Sequence, residues 1–324
     1  MHKQTGVNIE ATARYVPPKV LTNDEVSRLV DTSDEWITKR TGIKRRHISL
    51  GENASDLGAK AAQQLLEKSG LKAQDLDLIL VSTVTPDFLC PSVACIIQEA
   101  IGAANAFAMD INAACSGFIF GFSVAQKYLA SGQVKNVMLI GSEILTKYTD
   151  WTDRKSCVLF GDGAGGVILT AKPEGFYYEK IHSRGNKVIT MAYQPVNNPF
   201  CQGRGGEGMD FIKLDGREVF EFAVKSASEN IEEVLGLAGI GLDDINHIIP
   251  HQANARIIEG IAKKMKVDLG RFYINIENYG NTSAASIPMA LDEILEKGIA
   301  AKGDKVLLVG FGGGLTWGSI LLEL

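Results

Sequence analysis

Gly70-Leu71-Lys72-Ala73-Gln74-Asp75-Leu76-Asp77-Leu78-Ile79-Leu80 returns, altered but recognisable, as Gly239-Ile240-Gly241-Leu242-Asp243-Asp244-Ile245-Asn246-His247-Ile248-Ile249. The offset is 239 − 70 = 169 residues. It also lays Asn136-Val137-Met138-Leu139-Ile140-Gly141 on Lys305-Val306-Leu307-Leu308-Val309-Gly310, and Asn112-Ala113-Ala114-Cys115-Ser116 on Asn281-Thr282-Ser283-Ala284-Ala285. A constant offset across three blocks reads as a duplicated chain. Its halves, residues 1–174 and 175–324, join near Ala171–Gly175.

Each half alternates helix and strand. Ala59–Glu67 has helical periodicity with Gly70 as its stop, and Leu78–Ser82 is a short apolar run expected to be a buried strand. Cys115–Leu129 reads as a helix and Val137–Ile140 as a strand. The second half offers helices over Glu218–Leu235, Asn254–Met265 and Ala284–Leu295, with strands over His247–Ile249 and Val306–Val309. Continuously apolar strands belong to sheets covered on both faces. Two such α/β halves packed together predict a five-layered α/β/α/β/α sandwich.

The 324 residues, 45% hydrophobic and 22% charged, describe an ordinary globular protein. The first residues lack an apolar signal core and no run of about 18 apolar residues occurs, so a cytoplasmic, non-membrane protein is expected. Five cysteines without a CxxC pair argue against a disulfide framework and a structural zinc site. A net charge of −5 argues against nonspecific nucleic-acid binding.

The chemistry gathers at corresponding points of the repeat. Cys115 and Ala284 each open a helix, and pseudo-twofold packing brings such starts together at the molecular centre. A thiol at a helix N-terminus meets the positive end of the dipole, which favours thiolate. Alone, Cys115 reads equally as a small core residue. Gly117 and Gly121, four apart, allow this helix a close neighbour. His251, in Pro250-His251-Gln252-Ala253-Asn254, and Asn281 are two neutral donors that converge on one carbonyl oxygen and stabilise an enolate. Their plainer readings are a helix cap and a turn residue. His2, His47, His182 and His247 show no partner pattern. Gly161–Gly166 and Gly203–Gly208 both match GxGxxG, but neither sits in the strand–turn–helix setting that dinucleotide binding requires. A third glycine run, Gly310–Gly318, follows a buried strand and reads as a tight turn that also lets backbone N–H groups approach a ligand.

Taken together, Asn112-Ala-Ala-Cys115-Ser-Gly-Phe, Pro250-His251-Gln-Ala-Asn254, Asn278-Tyr-Gly-Asn281-Thr-Ser and Gly310-Phe-Gly-Gly-Gly-Leu-Thr-Trp-Gly318 resemble the 3-oxoacyl-[acyl-carrier-protein] synthase III family. These are thiolase-fold condensing enzymes that initiate bacterial fatty-acid synthesis. The likeness runs from Tyr15-Val-Pro-Pro-Lys-Val-Leu-Thr-Asn23 through Thr32–Ile43 to the C-terminus. Thiolases place a second cysteine in the C-terminal glycine loop, and Phe311–Gly318 has none. Chain-elongating synthases carry a histidine where Asn281 stands, and plant-type polyketide synthases a proline within the loop that here reads Gly312-Gly313-Gly314.

The resemblance implies that Cys115 takes an acyl group from acyl-CoA and that malonyl-acyl-carrier protein then decarboxylates against His251 and Asn281. It implies an oxyanion hole of the Cys115 and Gly313 N–H groups, a homodimer, and no metal or other cofactor, the CoA thioester being substrate. Position by position it carries a CoA site onto Thr32, Trp36, Arg40, Arg154, Gly216, Phe220 and Asn254. An indole that stacks on adenine and guanidiniums that pair with phosphates suit that role. Arg256, Lys263 and Lys264 share one face of the helix after His251 and offer an acidic carrier protein a basic stripe; a plain solvated face is the alternative. Cys90 stands where many relatives have phenylalanine at the dimer-related end of the acyl pocket, which leaves primer length open; Cys90 and Cys95 are otherwise expected to pack. Two rival readings are a sibling enzyme with another primer and a noncatalytic acyl-CoA or carrier-protein binding module. A thioester hydrolase using Cys115 is a third.

Overall fold

The computed structural model describes residues 5–195, 198, 200 and 207–324. His2, Cys201 and Gly203–Gly206 of the second glycine run lie outside the described residues. The strands are β1 (Gly6–Tyr15), β2 (Lys19–Thr22), β3 (Arg45–Ile48), β4 (Leu78–Ser82), β5 (Phe107–Ile111), β6 (Val137–Ile144) and β7 (Asp162–Lys172). Then come β8 (Tyr177–Asn186), β9 (Ile189–Thr190), β10 (Lys213–Leu214), β11 (His247–Pro250), β12 (Lys305–Gly312) and β13 (Gly314–Glu323). The helices are α1 (Asn23–Val26), α2 (Asp34–Thr41), α3 (Ala54–Ser69), α4 (Val93–Ile101) and α5 (Gly117–Ser131). They continue with α6 (Gly216–Ala238), α7 (Ala255–Met265), α8 (Ile276–Tyr279) and α9 (Ser286–Glu296).

The repeat is visible in the hydrogen-bonded register. One sheet runs β1-β7-β6-β4-β5 and the other β8-β13-β12-β11. In the first, Leu78 pairs with Val137 across a parallel β4–β6 ladder. In the second, His247 pairs with Val306 across a parallel β11–β12 ladder, the same register at the same offset. The glycine stops also match, Gly70 and Gly239 ending α3 and α6 at φ of 72° and 68°, where L side chains are strained. The duplication breaks at one edge: where β5 would be repeated, Asn275-Ile276-Glu277-Asn278-Tyr279 turns into the short helix α8. A single parallel bridge from Ile248 to Phe272 stands on that side of β11.

Three apolar layers follow. Helices α3 and α4 cover the outer face of the first sheet, where Leu57, Leu65 and Ile97 meet Ile79, Val81 and Ile140. Helices α6 and α7 cover the second sheet through Ile231, Val234, Ile258 and Ile261. Between the sheets lie α5 and α9, and one core cluster joins Phe118, Phe122, Ile287 and Leu291 to strands of both. The five-layered thiolase-like sandwich is the fold. Every residue of α9 from Ser286 to Ile294 is buried, including Asp292. That carboxylate is compensated from the other half: it accepts from Thr12 Oγ1 at 2.8 Å, Lys68 Nζ at 2.9 Å and Arg14 at 2.5 Å. Among the described residues no helix is long and apolar enough to cross a membrane.

Two expectations need correction. Gly310–Gly318 is not a loop between short strands: β12 reaches Gly312 and β13 starts at Gly314, so glycines form the ladder itself, Gly310 pairing with Gly318. Glycine suits these positions because each backbone abuts another element, Gly310 against Ile119 and Gly318 against Ile181. Cys90 and Cys95 are not core residues; both are exposed, on and just after the segment that carries Phe88 and Leu89 outward, although Cys95 Sγ lies 3.9 Å from Ala108 O.

The halves meet backbone to backbone. A methyl on Gly141 would lie 2.4 Å from the carbonyl oxygen of Ala284 and 3.0 Å from Ala285 Cα. Gly141→Ala should therefore lower unfolding free energy by about 1–3 kcal/mol, since neither neighbour is a movable side chain tip. Gly185→Ala, where a methyl meets nothing within 4 Å, should be near neutral. Urea unfolding of both variants checks the contrast.

Candidate active site

The two related turns, Ala114–Ser116 and Ser283–Ala285, pack against each other between the sheets. Ala114 and Ser283 occupy corresponding positions and share a left-handed φ of 49°. This kink turns the chain into the central helix that follows, from β5 in the first half and from α8 in the second. Gly117, first residue of α5, carries no side chain because a Cβ there would overlap Ser82 Oγ at 1.9 Å and touch Ala284 Cβ at 3.6 Å. Gly121 lies on Leu139 in the same way, so the Gly117/Gly121 pair is the close-packing face expected.

Cys115 is half-buried on the first turn. Gly312 lies flat against it, a built Cβ falling 2.8 Å from Cys115 Cβ. Two hydroxyls staple the glycine strands to this turn: Ser116 Oγ donates to Thr316 O at 2.9 Å, while Thr316 Oγ1 lies 2.8 Å from Ala113 O and 2.9 Å from Gly313 O. Gly313 sits between Ile189 and Ala114, next to the turn that carries Cys115. Burial works against the favoured thiolate expected at a helix start. Desolvation pushes the Cys115 thiol up to about 11, with the Glu143 carboxyl adding to the rise, and the Ser283 hydroxyl and a backbone N–H only partly offset it. Cys115 sits on the turn that precedes α5, and loss of water is the largest cause of its shift.

His251 and Asn281 are anchored by the second turn. His251 is 2% exposed, its Nδ1 2.7 Å from Ser286 Oγ at the start of α9 and its ring edge-on to Phe311 at 5.3 Å. Ser286 Oγ also accepts the Gln252 N–H at 3.3 Å. Burial pulls His251 down to about 3, so the imidazole is neutral at working pH. Asn281 accepts the Ser283 N–H on Oδ1 at 2.9 Å, which leaves its Nδ2 as the free donor end. The stretch Asn281–Ser286 thus holds the asparagine, positions the histidine and lies against the cysteine. Ser283, Ser286 and Glu143 were not singled out in the sequence. They are legible there only as departures from the repeat, opposite Ala114, Gly117 and Gly312. The other described histidines have ordinary partners: His47 Nδ1 lies near Pro17 O, His182 near Glu233 and His247 near Asp304.

The remaining residues form two groups. Trp36 on α2 carries the Arg154 guanidinium 4.9 Å from its ring and that of Arg40 at 5.8 Å. Arg154 also donates to Asp31 O, and the neighbouring Thr32 hydroxyl is buried without a hydrogen-bond partner. The second group stands at helix starts: Gly216 opens α6, Phe220 lies one turn on and packs toward Gly260 of α7, and Asn254 caps α7 by accepting the Arg256 N–H. Gly42, the end of α2, touches Ala255 beside Asn254, which makes the two groups neighbours. No direct contact joins Trp36 to Phe220 among the described interactions. Arg256, Lys263 and Lys264 are exposed on α7, with Lys264 3.9 Å from Glu229.

A neutral buried histidine leaves a pH signature. The unfolded chain protonates His251 near its ordinary 6.5 and the folded chain only near 3, so this contribution to stability is complete above 6.5 and lost as pH falls toward 3. Between pH 7.5 and 5 the wild type should lose about 2 kcal/mol more unfolding free energy than His251→Gln, as read by urea melts at both pH values.

Residues 109–185 match the 3-oxoacyl-[acyl-carrier-protein (ACP)] synthase III family and residues 235–324 its C-terminal counterpart. A beta-ketoacyl-[acyl-carrier-protein] synthase III of Clostridium novyi (strain NT) is 51% identical over 98% of this chain and 99% of its own. That of Streptococcus mutans serotype c (strain ATCC 700610 / UA159) is 48% identical over 99% of this chain and 100% of its own. The crystal structure of 3-oxoacyl-[acyl-carrier-protein] synthase III from Aquifex aeolicus VF5 superposes with a TM-score of 0.90 at 41% identity, covering 98% of this chain and 100% of the other. Register, layers, the facing turns and near-full-length identity agree: this chain belongs to the 3-oxoacyl-[acyl-carrier-protein] synthase III family.

Proposed function

We propose that this acyltransferase starts fatty-acid chains by condensing a short acyl-CoA primer with malonyl-acyl-carrier protein, releasing CoA and CO2. The observation that carries the reading is the orientation of Asn281: with Oδ1 committed to the Ser283 N–H, its amide presents a hydrogen to whatever occupies the site. We assign the Ser286 hydroxyl proton to His251 Nδ1, which leaves Nε2–H as a second neutral donor. Two neutral donors on one oxygen stabilise an enolate without adding a counter-charge that would hold the malonyl carboxylate in place.

On this reading Cys115 attacks the primer thioester and CoA leaves, which divides the reaction into acylation and condensation. Malonyl-acyl-carrier protein then loses CO2, its enolate oxygen held by His251 and Asn281. The resulting carbanion attacks the acyl-Cys115 carbonyl, while the Cys115 and Gly313 N–H groups hold the tetrahedral oxyanion. CoA lies along Thr32, Trp36, Arg40 and Arg154 toward Gly216, Phe220 and Asn254. The two guanidiniums that flank the Trp36 ring leave this patch fit for a phosphate-bearing aromatic ligand. The acidic carrier protein docks on Arg256, Lys263 and Lys264 of α7, whose N-cap is Asn254. Phe88 and Leu89, 59% and 98% exposed, fit burial in a homodimer, where Cys90 closes the acyl pocket of the second copy. The halves 1–174 and 175–324 supply the nucleophile and the two donors respectively. The reaction takes place in the cytoplasm and needs no resident cofactor, the CoA thioester being substrate.

Intact-mass spectrometry with acetyl-, isobutyryl- and octanoyl-CoA should show an acyl adduct on the wild type and none on Cys115→Ala. His251→Ala and Asn281→Ala should load the primer yet lose at least about 10²-fold in malonyl-dependent discharge. An adduct on Cys115→Ala, or discharge at the wild-type rate without Asn281, would sink the assignment.

A further inference from the structure

The scheme above leaves one buried acid unused. Glu143, 0% exposed near the end of β6, lies behind the two facing turns. Its Oε2 accepts from the Thr85 hydroxyl at 2.7 Å, the Val84 N–H at 3.0 Å and the Thr83 hydroxyl at 3.2 Å. Oε1 has only a share of the Val84 N–H, at 3.3 Å. Ser283 is 2% exposed, and its hydroxyl makes no hydrogen bond of ordinary geometry. It lies within interaction range of both the Cys115 thiol and the Glu143 carboxyl. A dry, unpartnered hydroxyl between a nucleophile and an acid is costly unless it serves both.

The duplication isolates this arrangement. Ser283 corresponds to Ala114 and Glu143 to Gly312, so the pair of positions related to them by the repeat carries neither hydroxyl nor carboxyl. There Gly312 lies directly on Cys115. The first half supplies the acid and the second the hydroxyl, whereas the pair related by the repeat has neither.

We propose that Ser283 and Glu143 form a proton relay for Cys115, taking up the thiol proton as the acyl-enzyme forms and returning it when the thiol is released. The inference rests on Cys115 being the acylated residue. In acylation the Cys115 S–H proton passes to Ser283 Oγ while the Ser283 proton passes to the Glu143 carboxylate. The sulfur electron pair forms the bond to the acyl carbon, and the CoA–S bond breaks with its electrons on CoA, which takes a proton from solvent. In condensation the carbanion forms the new carbon–carbon bond, the S–acyl bond breaks, and the proton stored on Glu143 returns through Ser283 to the departing sulfur. Proton and charge on the relay are restored after each turnover. Burial holds Glu143 up to about 7, so the carboxyl exchanges a proton near neutrality. Cys115 is coupled to it electrostatically, and Thr83, Val84, Thr85 and Ser283 present neutral donors. Ser283 acts on the reacting sulfur, and Glu143 acts through Ser283.

Quenched-flow acylation by acetyl-CoA, read by intact mass from pH 5.5 to 9, tests this with the full-length protein. The wild-type rate should climb through about 7 as Glu143 ionises. Ser283→Ala should acylate about 10²-fold more slowly and lose that limb of the profile. Alanine fits the backbone there, since Ala114 holds the same φ of 49°. Glu143→Gln should show the same loss, and the double variant should be no slower than either single one. A Ser283→Ala enzyme with wild-type rate and profile, or losses that multiply in the double variant, would overturn the relay while leaving the acyl-enzyme intact. Absence of any wild-type adduct would overturn both.

Discussion

The site depends on one steric constraint: two pseudo-twofold-related turns meet with almost no side chains between them. Gly141 lies under the carbonyl of Ala284, Gly312 lies on Cys115, and Gly117 sits against Ser82 and Ala284. Any Cβ at these points would separate the halves, because the neighbours are backbone or short side chains fixed in place. The close approach lets a single stretch, Asn281–Ser286, bond Asn281, position His251 and lie beside a cysteine that is far away in sequence. The cost is strain, with Ala114 and Ser283 both in the left-handed region. The central helix α9 is held on the first half by the bonds to Asp292, so the alignment of the turns does not rest on apolar contacts alone.

Duplication built the frame, and its breaches built the chemistry. The strands β4 and β11 repeat in identical register, and the glycine stops repeat in conformation. Against that background Cys115 faces Ala284 in the repeat, His251 faces Ser82, and Glu143 faces Gly312. Where one half needs a functional side chain, the other has a small residue that makes room for it. Ser82 Oγ fills the space that Gly117 vacates, just as Ser286 Oγ meets His251 in the other half.

This explains how far the sequence could be read. The layers were legible because buried strands are continuously apolar and a constant offset ties their order together. Cys115, His251 and Asn281 were legible as candidates because Cys115 opens a helix where the repeat has Ala284, and the other two stand at turns of the second half. Strand ends were not: glycines in Gly310–Gly318 read as a turn, although packing against Ile119 and Ile181 requires them within the ladder. Nor was the state of Cys115 legible. Helix position is written in the sequence, whereas desolvation comes from segments as distant as β12 and the Ser283 turn. Ser286 and Glu143 escaped notice because a serine and a glutamate declare a role only when their partners are known.

The dryness that lifts Cys115 and Glu143 also lowers His251, and the three shifts share a direction: each favours the neutral form. For the proposed condensation this is consistent chemistry. A cationic imidazolium would pair with the malonyl carboxylate and stabilise the group that must leave as CO2, whereas a neutral Nε2–H strengthens its bond as negative charge moves onto the thioester oxygen. The same neutrality makes the cysteine slow to ionise unaided, since a thiol held near 11 is almost wholly protonated at neutral pH. A site tuned for decarboxylation therefore needs a separate destination for the thiol proton. The proposed relay through the Ser283 hydroxyl to the Glu143 carboxyl supplies one.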